Sequence, residues 1–360
     1  MSAITTISRR KLLKTAGVAA TGLALPAAWS GQARAAEQIT VADVGGAPGA
    51  ALRTAFYDPF EKETGIKVIG VAHESDPVTQ FKVIVDTGTK LWDVCMVTPD
   101  DVVRLTNEKN YLEPLEISAG ADDELIPGAM MPNWFGFSAY GIVMAYRTDV
   151  YKKEAPKGWA DFWNTEKFPG RRGLCRNPKG VLESALLADG VAPKDLYPLD
   201  VDRAFAMMDK IRSDVAVWWT SGAQNTQVLQ SGEVDMADTW SARAFAAIDS
   251  GAPVQIVWNG LYSIDGWSIP LGTPKLKQAR EFIKFCMHPE RQAAYSSIVA
   301  NGPSNLKAYK FITPERAKVL PTLPANLAGL TVRDYAYWGK NYAAVSERFQ
   351  EWLLMGGKKG

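Results

Sequence analysis

From residue 39 onward the apolar positions alternate between two periods. Residues 39–43 (Ile-Thr-Val-Ala-Asp) read as a short strand, and Gly45-Gly46-Ala47-Pro48-Gly49 as a tight turn. Leu52, Ala55, Phe56 and Phe60 then recur at the spacing of one helical face. Thr64-Gly65 stops that helix, and residues 66–69 form the next strand. A helix over 78–86 and a strand over 92–97 follow, the strand apolar enough to lie in a parallel sheet. Asp100 or Asp101 is expected to cap a helix that runs to about Lys109. Strand–helix alternation at this spacing predicts an α/β lobe built on a parallel sheet.

A second α/β stretch begins with a strand over 140–146, followed by strands at 173–175, 215–219 and 234–237. Helical spacing marks 159–163, 181–188, 202–211, a helix closing at 228–232, and 242–250. Residues 254–258 and 268–270 read as two separate strands leading into a helix over 279–287. A terminal helix over 343–354 places Val345, Phe349 and Trp352 on one face. Residues 320–329, with two prolines, read as a connection over the surface.

The N-terminus is an address label. Arg9-Arg10-Lys11 opens a stretch with no acidic residue before Glu37, and residues 15–33 carry no charge. That stretch is too diluted by Gly17, Gly22, Pro26 and Gly31 for a membrane span, and Ala33-Arg34-Ala35 supplies a small-x-small cleavage site. Residues 1–35 are expected to be a cleavable signal peptide, twin-arginine-like, with an ordinary Sec signal as the alternative. The expected destination is the periplasm. Losing residues 1–35 takes the formal charge from +1 to −4, so no basic excess exists to hold nucleic acid. The three cysteines, Cys95, Cys175 and Cys286, lie in apolar settings and read as buried thiols.

Only two histidines, His73 and His288, occur in the chain. This removes most Ser-His-Asp and metal-dependent readings, and no P-loop, HExxH or G-x-S-x-G motif is present. No cofactor or metal site is expected. The chain reads as a binder of a small polar solute. Gly45 and Gly46, between a strand and a helix, offer backbone N–H groups to an anion or make a plain turn. At the end of the 215–219 strand, Trp218 and Trp219 face opposite sides. Trp219, Ser221 and Gln224 are candidates there because open α/β sheets bind ligands at the carboxyl ends of strands. Trp240, Arg243, Tyr262 and Asp265 complete the candidate set. Aromatic faces and a carboxylate attract an ammonium group. Arg243 either clamps a carboxylate or lies on a solvated helix face.

Residues 236–240 (Met-Ala-Asp-Thr-Trp), 251–258, 264–270 (Ile-Asp-Gly-Trp-Ser-Ile-Pro), 282–290 and 301–305 (Asn-Gly-Pro-Ser-Asn) fall in a diagnostic order. Across the mature chain the sequence resembles the spermidine/putrescine-binding periplasmic proteins of ABC importers. The resemblance implies an α/β, two-lobed periplasmic-binding-protein fold of type II. Each lobe would be a mostly parallel sheet flanked by helices, with the ligand cleft between them. It implies discontinuous lobes: 36–142 with 266–305, and 143–265 with 306–360. The chain would cross between them near 141–146, 265–268 and 305–309. It further implies a monomer that captures a polyamine such as putrescine or spermidine and delivers it to membrane permease subunits.

Family binding positions carry over unevenly. The stacking Trp matches Trp240 and the amine-binding Asp matches Asp265, but Ser263 stands where the family has a Trp. Val44-Gly45-Gly46 replaces an aromatic pair, and Arg176-Asn177-Pro178 replaces an acidic pair, with Glu183 nearby. A γ-amino acid or an opine held by Arg243 is therefore the alternative ligand. A secreted enzyme on the same bilobal fold, or a metal or anion binder, is a more distant reading.

Overall fold

The computed structural model describes residues 37–74, 76–120 and 123–356; the expected signal peptide over 1–35 lies outside them. Strands β1 (Gln38–Asp43), β2 (Lys67–Ala72) and β3 (Val94–Val97) run parallel in the order β2-β1-β3. Between β1 and β2 the apolar face on Leu52, Ala55, Phe56 and Phe60 folds as one helical run. It comprises Gly46–Leu52, a π turn at Arg53–Tyr57, and Asp58–Thr64. After β3 comes the helix Pro99–Thr106, shorter than the pattern predicts. Its cap is Thr98, not Asp100 or Asp101. Asp101 sits at the third helical position and returns its carboxylate to the Thr98 N–H at 3.1 Å, closing a capping box.

The remaining strands are β4 (Met130–Met131), β5 (Trp134–Arg147), β6 (Arg172–Cys175), β7 (Val215–Trp219), β8 (Met236–Trp240), β9 (Val254–Ser268), β10 (Gly302–Pro303) and β11 (Leu330–Val332). Strands β8, β6 and β7 make a second parallel group. Within the sheet of the described residues the two groups are joined through β5 and β9, which pair antiparallel along most of their length. The β3 group holds the end of β9 at Gly266, Trp267 and Ser268, while β8 holds the second half of β5 from Ile142 to Tyr146. At about 3.3 Å per residue, 15 residues reach about 50 Å, enough to thread both groups.

The two strands expected at 254–258 and 268–270 are thus parts of one extended segment. Asn259, Gly260, Ser263, Asp265 and Gly266 interrupt the apolar pattern and mimic a loop. Ser263, Asp265 and Gly266 are nonetheless laddered to β5, while Asn259 and Gly260 lie where the β5 register shifts and Gly260 pairs with β11. Polar residues in a paired strand need a reason to be there, and the site below supplies it.

Apolar burial divides the same way. One core gathers Ile39, Phe56, Phe60, Val94, Phe137, Trp267 and Phe282, with a further cluster of Phe81, Trp92, Val102 and Trp134. Another gathers Trp159, Phe162, Leu174, Leu182, Trp219, Met236, Trp338 and Phe349. Each such side chain contributes about 1.5–3 kcal/mol through removal from water. The terminal helix, Tyr335–Gly356, starts eight residues before the expected 343. It buries Val345 and Phe349, leaves Trp352 half-buried, and sets Gly339 against Val103 of the helix Pro99–Thr106. A helix at Pro289–Ile298, absent from the sequence reading, follows Leu276–Cys286. All three cysteines are buried and free.

Candidate functional site

The antiparallel register of β5 and β9 sets Tyr140 opposite Ser263 and Ser138 opposite Asp265. Directly opposed residues share a face, so these four side chains lie together where the two long strands cross. Trp240 ends β8 opposite Ile142 of β5. The helix Ser241–Asp249 starts immediately afterwards and carries Arg243 in its first turn. Ser241 fixes this junction by accepting the Gly141 N–H at 3.0 Å. The half-buried Trp240 ring meets Tyr140 edge-on at 6.2 Å and Trp219 edge-on at 5.2 Å.

Two opposite charges in this site lack partners. Asp265 is half-buried, and its carboxylate makes no hydrogen bond or ion pair among the described residues. Burial pushes its pKa up to about 7, against the pull of Arg333 and Arg243, and Asp101 adds to the rise. Arg243 is also half-buried, and among the described residues its guanidinium makes no hydrogen bond or ion pair, although its carbonyl accepts the Thr226 hydroxyl at 3.2 Å. Burial draws its guanidinium pKa down, opposed by Tyr295 and Asp265. The Ser138 hydroxyl, opposite Asp265, is buried with no hydrogen-bond partner. Unpaired polar groups out of water are costly. A ligand that brings an ammonium to Asp265 and a carboxylate to Arg243 removes that cost at both ends.

Arg243 owes its position to Gly222. A Cβ built on Gly222 would lie 2.8 Å from the Arg243 Cζ and 3.0 Å from its Nη2, so the start of the helix Gly222–Ser231 packs directly on the guanidinium.

The other candidate residues have different surroundings. Trp219 is buried beneath Trp240 and donates its indole N–H to Asp238 at 2.8 Å. Ser221 caps the helix Gly222–Ser231 by accepting the Gln224 N–H, and the Gln224 side chain turns back to the Thr220 N–H. Tyr262 is buried among Phe81, Trp134 and Ile264. Gly45 and Gly46 form the turn after β1 with φ of 63° and 59°, a region that favours glycine. The Gly45 N–H is already taken by Asp43 at 2.6 Å. The structure therefore brings together Trp240, Arg243 and Asp265, with Trp219 as underlayer. Tyr140, Ser138, Tyr295 and Arg333 join them although the sequence reading did not single them out. Tyr295 sits on the unpredicted helix Pro289–Ile298, and Arg333 follows the three-residue strand β11; neither carries a motif.

The remaining carboxylates around the site are saturated. Asp100 accepts from Lys179 Nζ at 2.7 Å and from Arg333 at 2.6 Å. Burial alone would raise its pKa, but those two cations hold it well below the usual range. Asp101 takes Thr98 and Arg104. Glu183, nearest to the family's acidic pair in sequence, is fully buried and consumed by the Gly180 N–H, the Tyr197 hydroxyl and the Trp338 indole. Asn177 caps the helix Pro178–Ala188. Among the described residues no cluster of His, Cys, Asp and Glu could hold a metal, and no helix is long and apolar enough to cross a membrane.

The profile of the bacterial extracellular solute-binding proteins matches residues 55–325. The chain belongs to this family. It is 35% identical to the gamma-aminobutyric acid-binding protein of Pseudomonas aeruginosa, over 92% of this chain and 94% of that one. With the spermidine/putrescine-binding periplasmic protein of Escherichia coli it shares 25% identity, over 82% and 85%. An ABC transporter substrate-binding protein from Bradyrhizobium japonicum superimposes with a TM-score of 0.82 at 37% identity, covering 88% of this chain and 99% of that one. The Atu4243 GABA receptor gives 0.80 at 31% identity, covering 88% and 97%. This solute-binding protein therefore has the type II periplasmic-binding-protein fold, and its relatives are transport proteins rather than enzymes. The resemblance to polyamine binders is present, but at lower identity than the match to a GABA binder.

Proposed function

We propose that this chain is the periplasmic solute-binding component of an ABC importer and that it captures a small amino-carboxylate of the γ-amino acid class. The observation that carries the proposal is the pair of unpartnered opposite charges, Asp265 and Arg243, flanking the half-buried Trp240. An ammonium group seats against Asp265 and the aromatic faces of Trp240 and Tyr140. The carboxylate seats on Arg243, whose planar fork suits that geometry. Identity to a GABA-binding protein supports this choice over the polyamine that the family resemblance first suggested. A diamine would leave Arg243 facing a second cation.

In this reading residues 36–142 with 266–305 move against residues 143–265 with 306–360, bending β5 and β9. The closed monomer then presents itself to the permease subunits. No chemistry is performed on the solute. Calorimetry with GABA, putrescine and spermidine tests the ligand class. GABA should bind more tightly than either amine by about a hundredfold or more, and Arg243→Ala should weaken GABA by about 30-fold or more, the loss of one partner of a desolvated charge pair. Equal GABA affinity in parent and Arg243→Ala would refute the carboxylate subsite.

A further inference from the structure

We infer that Arg333 is a specificity-determining residue that excludes a second ammonium group from the site. The inference rests on the amino-carboxylate reading and deepens it. On a strand, residues two apart share a face about 7 Å apart. Ser263 and Asp265 are such a pair on β9, and the small Ser263 leaves room beside the carboxylate. Arg333 fills that room. Strand β11 runs parallel to β9 at Gly260, Leu261 and Tyr262. The Arg333 N–H continues the ladder to the Tyr262 carbonyl at 3.0 Å. From there the side chain reaches back, donating to the Ser263 hydroxyl at 3.1 Å and to Asp100 at 2.6 Å. It is buried, and the space left beside it, between Pro99, Pro127, Val332 and Tyr335, is about 10 Å³. That is about the minimum for one water molecule. An alkyl chain does not pass.

Charge enforces the same limit. Of the cations acting on Asp265, Arg333 is the stronger and Arg243 the weaker. A diamine anchored at Asp265 thus meets a guanidinium in either direction. Among the described residues no free carboxylate near the site waits for its far end, because Asp100, Asp101 and Glu183 are each held by two or more donors. Arg243 recognises the carboxylate of the accepted ligand, whereas Arg333 rejects the competitor by occupying both the volume and the charge at the ammonium end. Like charges brought together in a desolvated site discriminate by about a hundredfold or more.

The test is the ratio of putrescine to GABA dissociation constants, measured by calorimetry on the full chain. The parent should show a ratio of about 100 or more. Arg333→Met should narrow it by about tenfold or more, and Arg333→Lys, which restores the charge, should return most of it. Arg333→Gln, which keeps a donor for Asp100, makes the same comparison if Arg333→Met does not fold. A purely structural role would weaken both ligands alike and leave the ratio unmoved. A parent that discriminates, with a folded charge-free variant that discriminates equally, overturns the role of Arg333 and leaves the amino-carboxylate reading standing. A parent that binds putrescine as tightly as GABA overturns both.

Discussion

Replacing Asp265 with asparagine should weaken ligand binding while stabilising the ligand-free protein at neutral pH. The carboxyl titrates near 7 in the folded chain because burial opposes its charge more than Arg333 and Arg243 favour it. In the unfolded chain it titrates near 4. Between those two pH values the folded state holds a proton that the unfolded state has released. Stability is therefore greater on the acid side and falls as pH rises from about 4 to about 7. Three units correspond to about 4 kcal/mol as an upper bound, so relief on the order of 1–4 kcal/mol is expected from an uncharged isostere at pH 8. Binding runs the other way. The ammonium of GABA needs the ionised carboxylate, so affinity should decline below about pH 7, approaching tenfold per unit, and binding at pH 6 should release a proton. Removing the charge partner costs about 2–5 kcal/mol, a loss of about 30-fold to several thousandfold. Calorimetry in two buffers of different ionisation enthalpy reads the proton, and thermal melts of ligand-free protein read the stability. If Asp265→Asn binds GABA as tightly as the parent, or melts lower than the parent at pH 8, the assignment of Asp265 as an unpartnered ammonium acceptor is wrong.

Gly222→Ala should force the Arg243 guanidinium aside, since the new Cβ meets its Cζ at 2.8 Å; calorimetry should show GABA affinity falling about tenfold, with the ligand-free melting temperature changed by no more than about 2 °C. Asp238→Ala should instead act on stability. Its carboxylate accepts the Trp219 indole and the Cys175 N–H, both at 2.8 Å, and leaving two buried donors unpaired costs about 2–4 kcal/mol in a denaturant titration.

The sequence reading carried far where periodicity is set locally. The strand–helix alternation from Ile39 to Val97 and the helices at Val78–Asp86 and Val201–Ile211 follow from apolar spacing alone. Spacing failed on β9. Its middle is polar where Ser263 and Asp265 face the site and glycine-rich where the register shifts, so a strand made by pairing looks in the sequence like two strands and a loop. The cap of the helix Pro99–Thr106 lies two or three residues before the expected Asp100 or Asp101, because Thr98, Asp100 and Asp101 are all competent caps and only the backbone conformation selects one.

Trp240, Arg243 and Asp265 were legible as candidates because each combines a chemically distinctive side chain with a strand end or helix start. Whether Arg243 faced solvent or ligand was not legible, since a helical periodicity does not say which neighbour covers a face. The close packing of Gly222 on its guanidinium is a contact between separate segments. The same holds for Arg333, which sits 68 positions after Asp265 in the chain yet borders it through the pairing of β11 with β9. The sequence by itself determined an α/β solute binder and marked Trp240, Arg243 and Asp265 as its candidate contacts, because composition, motif order and local period depend only on neighbours along the chain. Only the tertiary structure decided which charges stay unpaired, because desolvation and pairing are properties of groups brought together from distant segments.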